Sequence, residues 1–144
     1  MRVSTRGRYA LRMMLDLAMH ENGEYIALKD ISARQGVSVK YLEQIVSVLS
    51  KADMLKSVRG PQGGYKLAKS PDSYTVGDIL RVTEGSLAPV ACLDAPQNGC
   101  PRAAACTTFG FWQELYDAVC GVVDYTTLAD LADRTQNGGA DVLF

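Results

Sequence analysis

The sequence lacks the features of several protein classes. It holds one histidine and one tryptophan. We recognise no Ser–His–Asp set, Cys–His pair or paired carboxylate site in it, so we do not expect an enzyme. No apolar run approaches the roughly 18 residues of a membrane span. Residues 13–19 are apolar apart from Asp16 but lack the flanks and cleavage site of a signal peptide. These absences predict a cytoplasmic protein that does not associate with membranes.

Net charge is also nearly absent, but the formal value of −1 hides an asymmetry along the 144 residues. Residues 1–70 hold 12 Lys and Arg against 6 Asp and Glu, whereas residues 71–144 hold 3 against 10. Because neutralising phosphate groups releases counterions, the first half favours binding to a polyanion and the second half opposes it. A solvated basic surface without a nucleic-acid partner is the alternative interpretation.

Three helices are predicted in the basic half. Apolar spacing predicts a first helix over residues 8–22, ended by Gly23, and a second over residues 28–35, stopped by Gly36. Ser38 is a good N-cap for a third helix, which a very short turn joins to the second. The side chains expected to face the core are Leu11, Met14, Leu15 and Ala18 of the first helix, Ile31 of the second, and Leu42, Ile45, Val46 and Leu49 of the third.

Two short strands, over residues 55–59 and 65–68, are predicted after the third helix. The turn Gly60-Pro61-Gln62-Gly63-Gly64 joins them, and its glycines permit backbone angles that other residues resist. Two helices with a short turn, followed by a basic hairpin, indicate a winged helix-turn-helix. We therefore assign residues 1–72 to a DNA-binding domain within a mostly α fold that carries a small β-hairpin wing.

The acidic half is predicted to contain a loop and a long helix. A helix over residues 76–84, capped by Thr75 with Asp78, precedes an aperiodic loop over residues 86–106. From about residue 108 a long helix carries an unusually wide apolar face, which either packs against a second copy or folds back on its own domain. That face comprises Trp112, Leu115, Tyr116, Val119, Val122 and Val123. Thr127 is expected to cap a final short helix. We assign residues 73–132 to the loop and the dimerisation helices, and residues 133–144 to a disordered tail.

The third helix carries side chains suited to reading DNA near its N-terminus, where recognition helices meet base edges. Gln44 can bond adenine bidentately, and Glu43 can accept from the cytosine amino group. Lys40 can reach guanine or phosphate, and Tyr41 can reach phosphate. Since a carboxylate near phosphates lowers affinity, Glu43 is expected to contribute specificity. In the wing, Arg59 can enter a minor groove or bind the backbone. Solvent-facing polar residues without a partner are the alternative.

Three of the four cysteines lie on the loop, with the spacing C-x7-C-x5-C. Thiolates from Cys92, Cys100 and Cys106 can converge on one metal centre, and soft sulfur ligands select iron–sulfur clusters or zinc. The paired C-x2-C pattern of zinc ribbons is absent. Cys120, on the long helix, is expected to be a buried small hydrophobe. Three reduced thiols without a metal are the alternative.

Taken together, these motifs resemble the Rrf-two (Rrf2) family of bacterial regulators, which includes IscR, NsrR and CymR, and the resemblance is nearest to IscR-like members. The resemblance extends to about residue 132 and rests on Ser4-Thr5-Arg6-Gly7-Arg8-Tyr9-Ala10, Tyr41-Leu42-Glu43-Gln44, Val58-Arg59-Gly60-Pro61-Gln62-Gly63-Gly64-Tyr65 and the three-cysteine loop. It implies a winged-helix homodimer with a long C-terminal dimerisation helix that binds a palindromic operator in double-stranded DNA. By position, it implies that the DNA-reading residues are Ser38, Lys40, Tyr41, Glu43 and Gln44, with Arg59 and Gly60 in the wing.

The resemblance also implies an iron–sulfur cluster, either [2Fe–2S] or [4Fe–4S], on Cys92, Cys100 and Cys106. The fourth ligand departs from the family pattern. Phe109 stands where IscR-like members carry a histidine, and Arg8 stands where NsrR-like members carry an acidic ligand that reaches the partner subunit. The fourth ligand is therefore unassigned, and its candidates are Asp94, a partner side chain, or an exogenous thiol or water.

We therefore expect a DNA-binding transcriptional regulator, a repressor, that senses redox state, nitric oxide or iron through the cluster. Three alternatives remain open at this point. The chain could be a cluster-free regulator controlled by a protein partner or a small molecule. It could be a small thiol or metal redox protein whose basic half is incidental. It could also be an interaction module that docks on a metabolic enzyme.

Overall fold

The computed structural model describes residues 2–94 and 102–137, which fold around one central helix, α1 (Thr5–Met19). The described residues form six α-helices and one hairpin, in agreement with the predicted fold class. The remaining α-helices and strands are α2 (Leu28–Gln35), α3 (Val39–Lys51), β1 (Leu55–Val58), β2 (Gly64–Leu67), α4 (Val76–Glu84), α5 (Phe109–Val123) and α6 (Leu128–Asn137). Within these ranges no helix is long and apolar enough to cross a bilayer.

Helix α1 is buried on more than one side. Ala10, Met13, Met14, Leu15 and Leu17 are all at most 1% exposed, since α1 contacts α2, α3, α4, α6 and β2. The single buried stripe predicted from the spacing is therefore wrong in part, because Leu11 and Ala18 are only half-buried. A helix that is surrounded by neighbours does not show the one-sided pattern of a surface helix.

The ends of α1 also differ from the prediction. The helix begins at Thr5 because the Ser4 hydroxyl accepts a hydrogen bond from the Gly7 N–H, at 3.0 Å. It ends at Met19, before Gly23, and the backbone N–H of His20 donates to the Asp16 carbonyl. Gly23 instead takes a positive φ of 83° in the connection that follows.

Helices α2 and α3 follow the sequence prediction closely. Gly36 ends α2 with φ 66°, and the Ser38 hydroxyl accepts from the Tyr41 N–H to cap α3. All four predicted core residues of α3 are buried, so one face of this helix packs into the core and the other faces solvent. Two helices joined through Gly36 and Val37 form the helix-turn-helix.

The hairpin is anchored at its base and along one edge. Strands β1 and β2 pair antiparallel from Leu55↔Leu67 to Val58↔Gly64, each within one residue of the predicted bounds. Tyr65 exchanges both backbone hydrogen bonds with Ile26, at 2.8 Å each. The Tyr74 hydroxyl donates to the Met54 carbonyl and accepts from the Lys69 N–H, so the hairpin has a fixed base.

Two capping boxes and one ion pair organise the acidic half. Thr75 and Asp78 exchange hydrogen bonds at the start of α4, as predicted, and Thr127 does the same with Asp130 at the start of α6. Arg81 of α4 pairs with Asp124 at the end of α5, and its hydrogen bonds lower the pKa of the Asp124 carboxyl. The C-terminal end of α5 is thereby attached to α4.

Helix α5 has no buried residue, although it is the most apolar helix of the acidic half. Most of the predicted apolar face is half-buried toward the rest of the chain, and only Val122 from that set is exposed. The apolar side chains left in solvent lie on a neighbouring stripe, formed by Phe111, Ala118 and Val122 and continued by Tyr125 just beyond the helix. Phe111, Val122 and Tyr125 are 58%, 64% and 81% exposed. This exposed apolar stripe lacks a partner within the described residues.

The C-terminal assignment needs one correction. Helix α6 continues to Asn137, so residues 133–137, which we placed in a disordered tail, are helical. The Thr135 hydroxyl donates to the Leu131 carbonyl one turn earlier, which places Thr135 within the helix. Residues 138–144 lie outside the described residues.

Candidate nucleic-acid interface

The outer face of α3 presents polar side chains to solvent. Ser38, Lys40, Glu43 and Gln44 are exposed, and the opposite face of the helix packs into the core. Tyr41 is half-buried at the edge of this group. All five predicted residues of the helix therefore lie on one continuous surface at its N-terminal end, the end that recognition helices turn toward base edges.

Tyr41 contacts Tyr9 of α1, which in turn contacts Arg12, and sequence reasoning assigned no role to either of these α1 residues. Its ring meets the ring of Tyr9 edge-on, with centroids 5.9 Å apart and an interplanar angle of 88°. The guanidinium of Arg12 lies over the Tyr9 ring, 4.7 Å from its centroid. The i, i+3 spacing of Tyr9 and Arg12 was the available signal for their contact, but nothing local indicated that Tyr41 would join them.

The wing tip is shaped by its glycines. Gly60 has φ 116°, and its carbonyl accepts from the Gly63 N–H at 2.9 Å. A Cβ on Gly63 would overlap the Val58 carbonyl, and one on Gly64 would overlap the backbone of Ile26. Arg59 and Gly60 are exposed beside this turn. The hairpin thus holds the predicted wing residues at its free end.

The hairpin also concentrates positive charge that forms no ion pair within the described part of the chain. Lys56 and Lys66 are directly opposite each other across the strands, an arrangement of like charges that costs free energy. Lys66 lies over the ring of Tyr25, 4.6 Å from its centroid. Among the residues that the structure describes, no lysine forms an ion pair, and only Arg34 and Arg81 of the arginines do so. A surface of this kind is suited to a polyanionic partner.

The predicted metal ligands are only partly described. Cys92 is half-buried in a short 3-10 turn (Ala91–Leu93), and Cys106 is exposed just before α5. A hydrogen bond with the Thr108 hydroxyl, with Sγ and Oγ1 3.5 Å apart, lowers the pKa of the Cys106 thiol, as do backbone N–H groups. A lowered thiol pKa favours the thiolate that binds soft metals, so the chemistry of this donor fits such a centre.

Cys100, the middle ligand of the predicted set, lies outside the described residues, so the convergence of the three thiols is not tested. Within residues 2–94 and 102–137 no group of three His, Cys, Asp or Glu side chains could hold a metal ion. Asp94, one candidate for the fourth ligand, is exposed and accepts from the Ser86 hydroxyl. Cys120 is half-buried rather than buried, with its sulfur 3.6 Å from a guanidinium nitrogen of Arg81.

Comparison with known proteins gives a consistent result. The profile of one protein family, described as "Rrf2: Iron-dependent Transcriptional regulator", matches residues 3–134. Protein rrf2 of Nitratidesulfovibrio vulgaris is 44% identical over 131 residues, which cover 91% of this chain and 87% of that protein. The HTH-type transcriptional regulator IscR of Escherichia coli is 38% identical over 136 residues, which cover 94% of this chain and 83% of that protein.

Solved structures show the same fold. CymR of B. subtilis, described as the global cysteine regulator, aligns with a TM-score of 0.78 and 41% identity, over 94% of this chain and 98% of that chain. IscR of T. potens aligns with a TM-score of 0.77 and 39% identity, over 99% of this chain and 93% of that chain. The winged-helix prediction is therefore confirmed by structures that match nearly the full length.

Proposed function

This chain belongs to the Rrf2 family of transcriptional regulators, and from that premise we propose that it is a sequence-specific repressor that binds a palindromic operator as a homodimer in the cytoplasm. The observation that carries the proposal is the division of α3 into a core face and a polar, solvent-facing one, beside a basic wing whose lysines form no ion pair with any described residue. Such a surface supplies both elements that DNA recognition needs, base-reading side chains and backbone-binding charge.

The residues take distinct roles in this proposal. Glu43 and Gln44 read base edges in the major groove, where carboxylate and amide groups discriminate cytosine and adenine. Lys40, Tyr41 and Ser38 lie beside them and contact phosphates or base edges. Arg59 and Gly60 at the wing tip approach the minor groove or the neighbouring backbone, where the small glycine allows close contact.

Dimerisation is assigned to α5. Its exposed stripe carries apolar side chains at Phe111, Ala118 and Val122, with exposed Glu114 between the first two, and Ala118 with Gly121 would let two helices approach closely. Burying this stripe against a second copy removes apolar surface from water. A twofold pair then presents two recognition helices, and the operator symmetry follows from the symmetry of the protein.

The sensing centre is assigned to the cysteine loop. Cys92, Cys100 and Cys106 would hold an iron–sulfur cluster, with the fourth ligand supplied by Asp94, a partner side chain, or an exogenous thiol or water. Bound there, the cluster would supply a centre that responds to oxidants, nitric oxide and iron supply. The loop enters from Gly85 at the end of α4 and leaves into α5, so its order can bias the placement of the dimer helices.

A cluster-free regulator is the second candidate, and Phe109 favours it. This residue stands where the IscR-like pattern has a histidine, so one ligand of that pattern is missing. In this case a protein partner or small molecule takes the place of the cluster, and the DNA-binding surface is unchanged.

The role of Glu43 is tested by Glu43→Ala. The probes are the duplex that the wild-type protein selects from a randomised pool and a scrambled duplex of the same composition. We expect preference for the selected duplex to fall by about 1–3 kcal/mol, while affinity for the scrambled duplex stays equal or rises because a repulsive carboxylate is lost. Equilibrium binding titrations measure both. Asp133→Ala, the same charge change on α6, should leave the preference intact; an unaltered preference in the Glu43 variant would contradict base reading.

The role of Arg59 is tested by the salt dependence of binding. Arg59→Ala should weaken binding to both duplexes alike, and the slope of log K against log salt should fall by about 1, since one phosphate contact is lost. Lys51→Ala removes the same charge from the C-terminal end of α3 and serves as the matched control. A slope equal to that of the wild type would show that Arg59 does not touch the backbone.

The dimer interface is tested by Val122→Glu. A charge on the exposed apolar stripe should give a monomer in sedimentation velocity, because dimerisation would bury an unpaired carboxylate from each copy. Affinity for the selected duplex should fall on the order of 100-fold, since the half-sites are then bound independently. Val122→Ala should remain a dimer. If the glutamate variant stays dimeric, α5 is not the interface.

The cluster is tested by purifying the protein without oxygen from iron-replete cells. We expect visible absorption from an iron–sulfur chromophore, with iron and sulfide in comparable amounts per chain. Cys92→Ser, Cys100→Ser and Cys106→Ser should each lose the chromophore, whereas Cys120→Ser, outside the loop, should keep it. A colourless, iron-free wild-type protein would instead support the cluster-free regulator.

A further inference from the structure

Helix α1 carries one charged side chain in its most buried segment. Asp16 lies between Leu15 and Leu17, and its side chain is 1% exposed. Placing a carboxylate there costs several kcal/mol unless it is paired and fully hydrogen-bonded, and even a well-paired ion adds little net stability over an apolar residue. Its presence therefore calls for an explanation other than stability.

The partners that satisfy Asp16 come from the last turn of α2. Arg34 donates to both carboxylate oxygens, from Nη2 at 2.7 Å and from Nε at 3.0 and 3.2 Å. Gln35 donates its Nε2 at 2.9 Å. The same interaction raises the pKa of Arg34 above its usual range. On the side of α1, the His20 ring lies 3.7 Å from the carboxylate. The end of α2 is thus bonded in a defined orientation.

Arg12, one turn before Asp16 on α1, also binds Gln35 of α2. Its Nε donates to the Gln35 side-chain oxygen at 3.1 Å, and its Nη2 donates to the Gln35 backbone carbonyl at 2.9 Å. The side-chain amide of Gln35 is therefore bonded at both ends, by Asp16 and by Arg12. A cation at this position also complements the negative end of the α2 dipole.

These contacts continue to the recognition helix. The Arg12 guanidinium that binds Gln35 also lies over the Tyr9 ring, and that ring meets Tyr41 of α3 edge-on. Gln35 directly precedes the turn at Gly36, and Tyr41 is in the first turn of α3 that follows it. The side chains of α1 therefore hold the helix-turn-helix both immediately before and immediately after its turn.

We propose that Asp16 and Arg12 are positioning residues that set the angle of α3 relative to α2, and thereby the selectivity for DNA sequence. The inference rests on the proposed DNA-reading role of α3. Bidentate contacts to base edges tolerate little change in angle, whereas the long lysine and arginine side chains that reach phosphates adapt to it. The ionic network therefore contributes geometry that a purely apolar contact, free to slide, does not specify.

Arg12→Lys is the decisive variant. Lysine keeps the charge and the helix propensity but cannot donate twice in the planar arrangement that binds Gln35 and covers Tyr9. We expect the preference for the selected duplex over the scrambled one to fall about tenfold or more, with affinity for the scrambled duplex within about twofold of the wild type. Arg6→Lys, an exposed position in the first turn of α1, is the matched control. Both duplexes are titrated at a temperature where unfolding curves show every variant to be folded.

Asp16→Asn provides a second test of the inference. It should lower the unfolding midpoint, because it leaves Arg34 without its counter-charge, and it should lower the sequence preference of the protein that remains folded. If Arg12→Lys folds and keeps the wild-type preference, the network is only structural and the inference is overturned. If the wild-type protein selects no duplex at all, the proposed function itself fails. If the wild type is selective and the Arg12 variant is equally selective, the proposed function stands and only this inference fails.

Discussion

The burial of α1 is the constraint on which the rest of this structure depends. Ala10, Met13, Met14, Leu15 and Leu17 are covered on several sides at once, so the helix-turn-helix, the hairpin and helices α4 and α6 all use α1 as a common support. A single interior helix of this kind couples elements that are distant in sequence. Ser4 illustrates this, since its backbone N–H and hydroxyl both donate to Glu84, which ends α4 and leads into the cysteine loop. The acidic half, which carries the cysteine loop, and the basic half thus meet at the first turn of one helix.

The two halves of the chain use their charged side chains differently. The basic half leaves its wing lysines without ion pairs among the described residues, and it places two of them opposite each other on the hairpin. This costs folding free energy that a phosphate backbone can offset. The acidic half instead uses its carboxylates internally, as helix caps at Asp78 and Asp130 and as the partner of Arg81 at Asp124. The wing lysines of the first half can therefore bind an anionic ligand. The carboxylates named in the second half instead stabilise its own helices.

Local signals were sufficient for much of the fold. Helices α2 and α4 have the predicted bounds, and the caps at Ser38, Thr75 and Thr127 form as expected, because capping depends on residues within one turn. The start of α1 was missed because its cap, Ser4, was not considered, and its buried face was misjudged because the pattern assumes one apolar side. On α5 the periodicity identified an apolar helix, but which stripe remains in solvent depends on how α4 packs against it. The assignment of DNA-reading and cluster residues remains a prediction.

The sequence by itself determined the order of elements, the charge division, the polar face of α3 and the identity of the family, since each follows from residue types at short spacing. Only the tertiary structure decided what supports that face. The bonds from Asp16 and Arg12 to the end of α2, and the contact of Tyr9 with Tyr41, join residues from three helices. No pattern within one helix specifies which side chain of another helix it will meet, because that choice is made by the packing of the whole core.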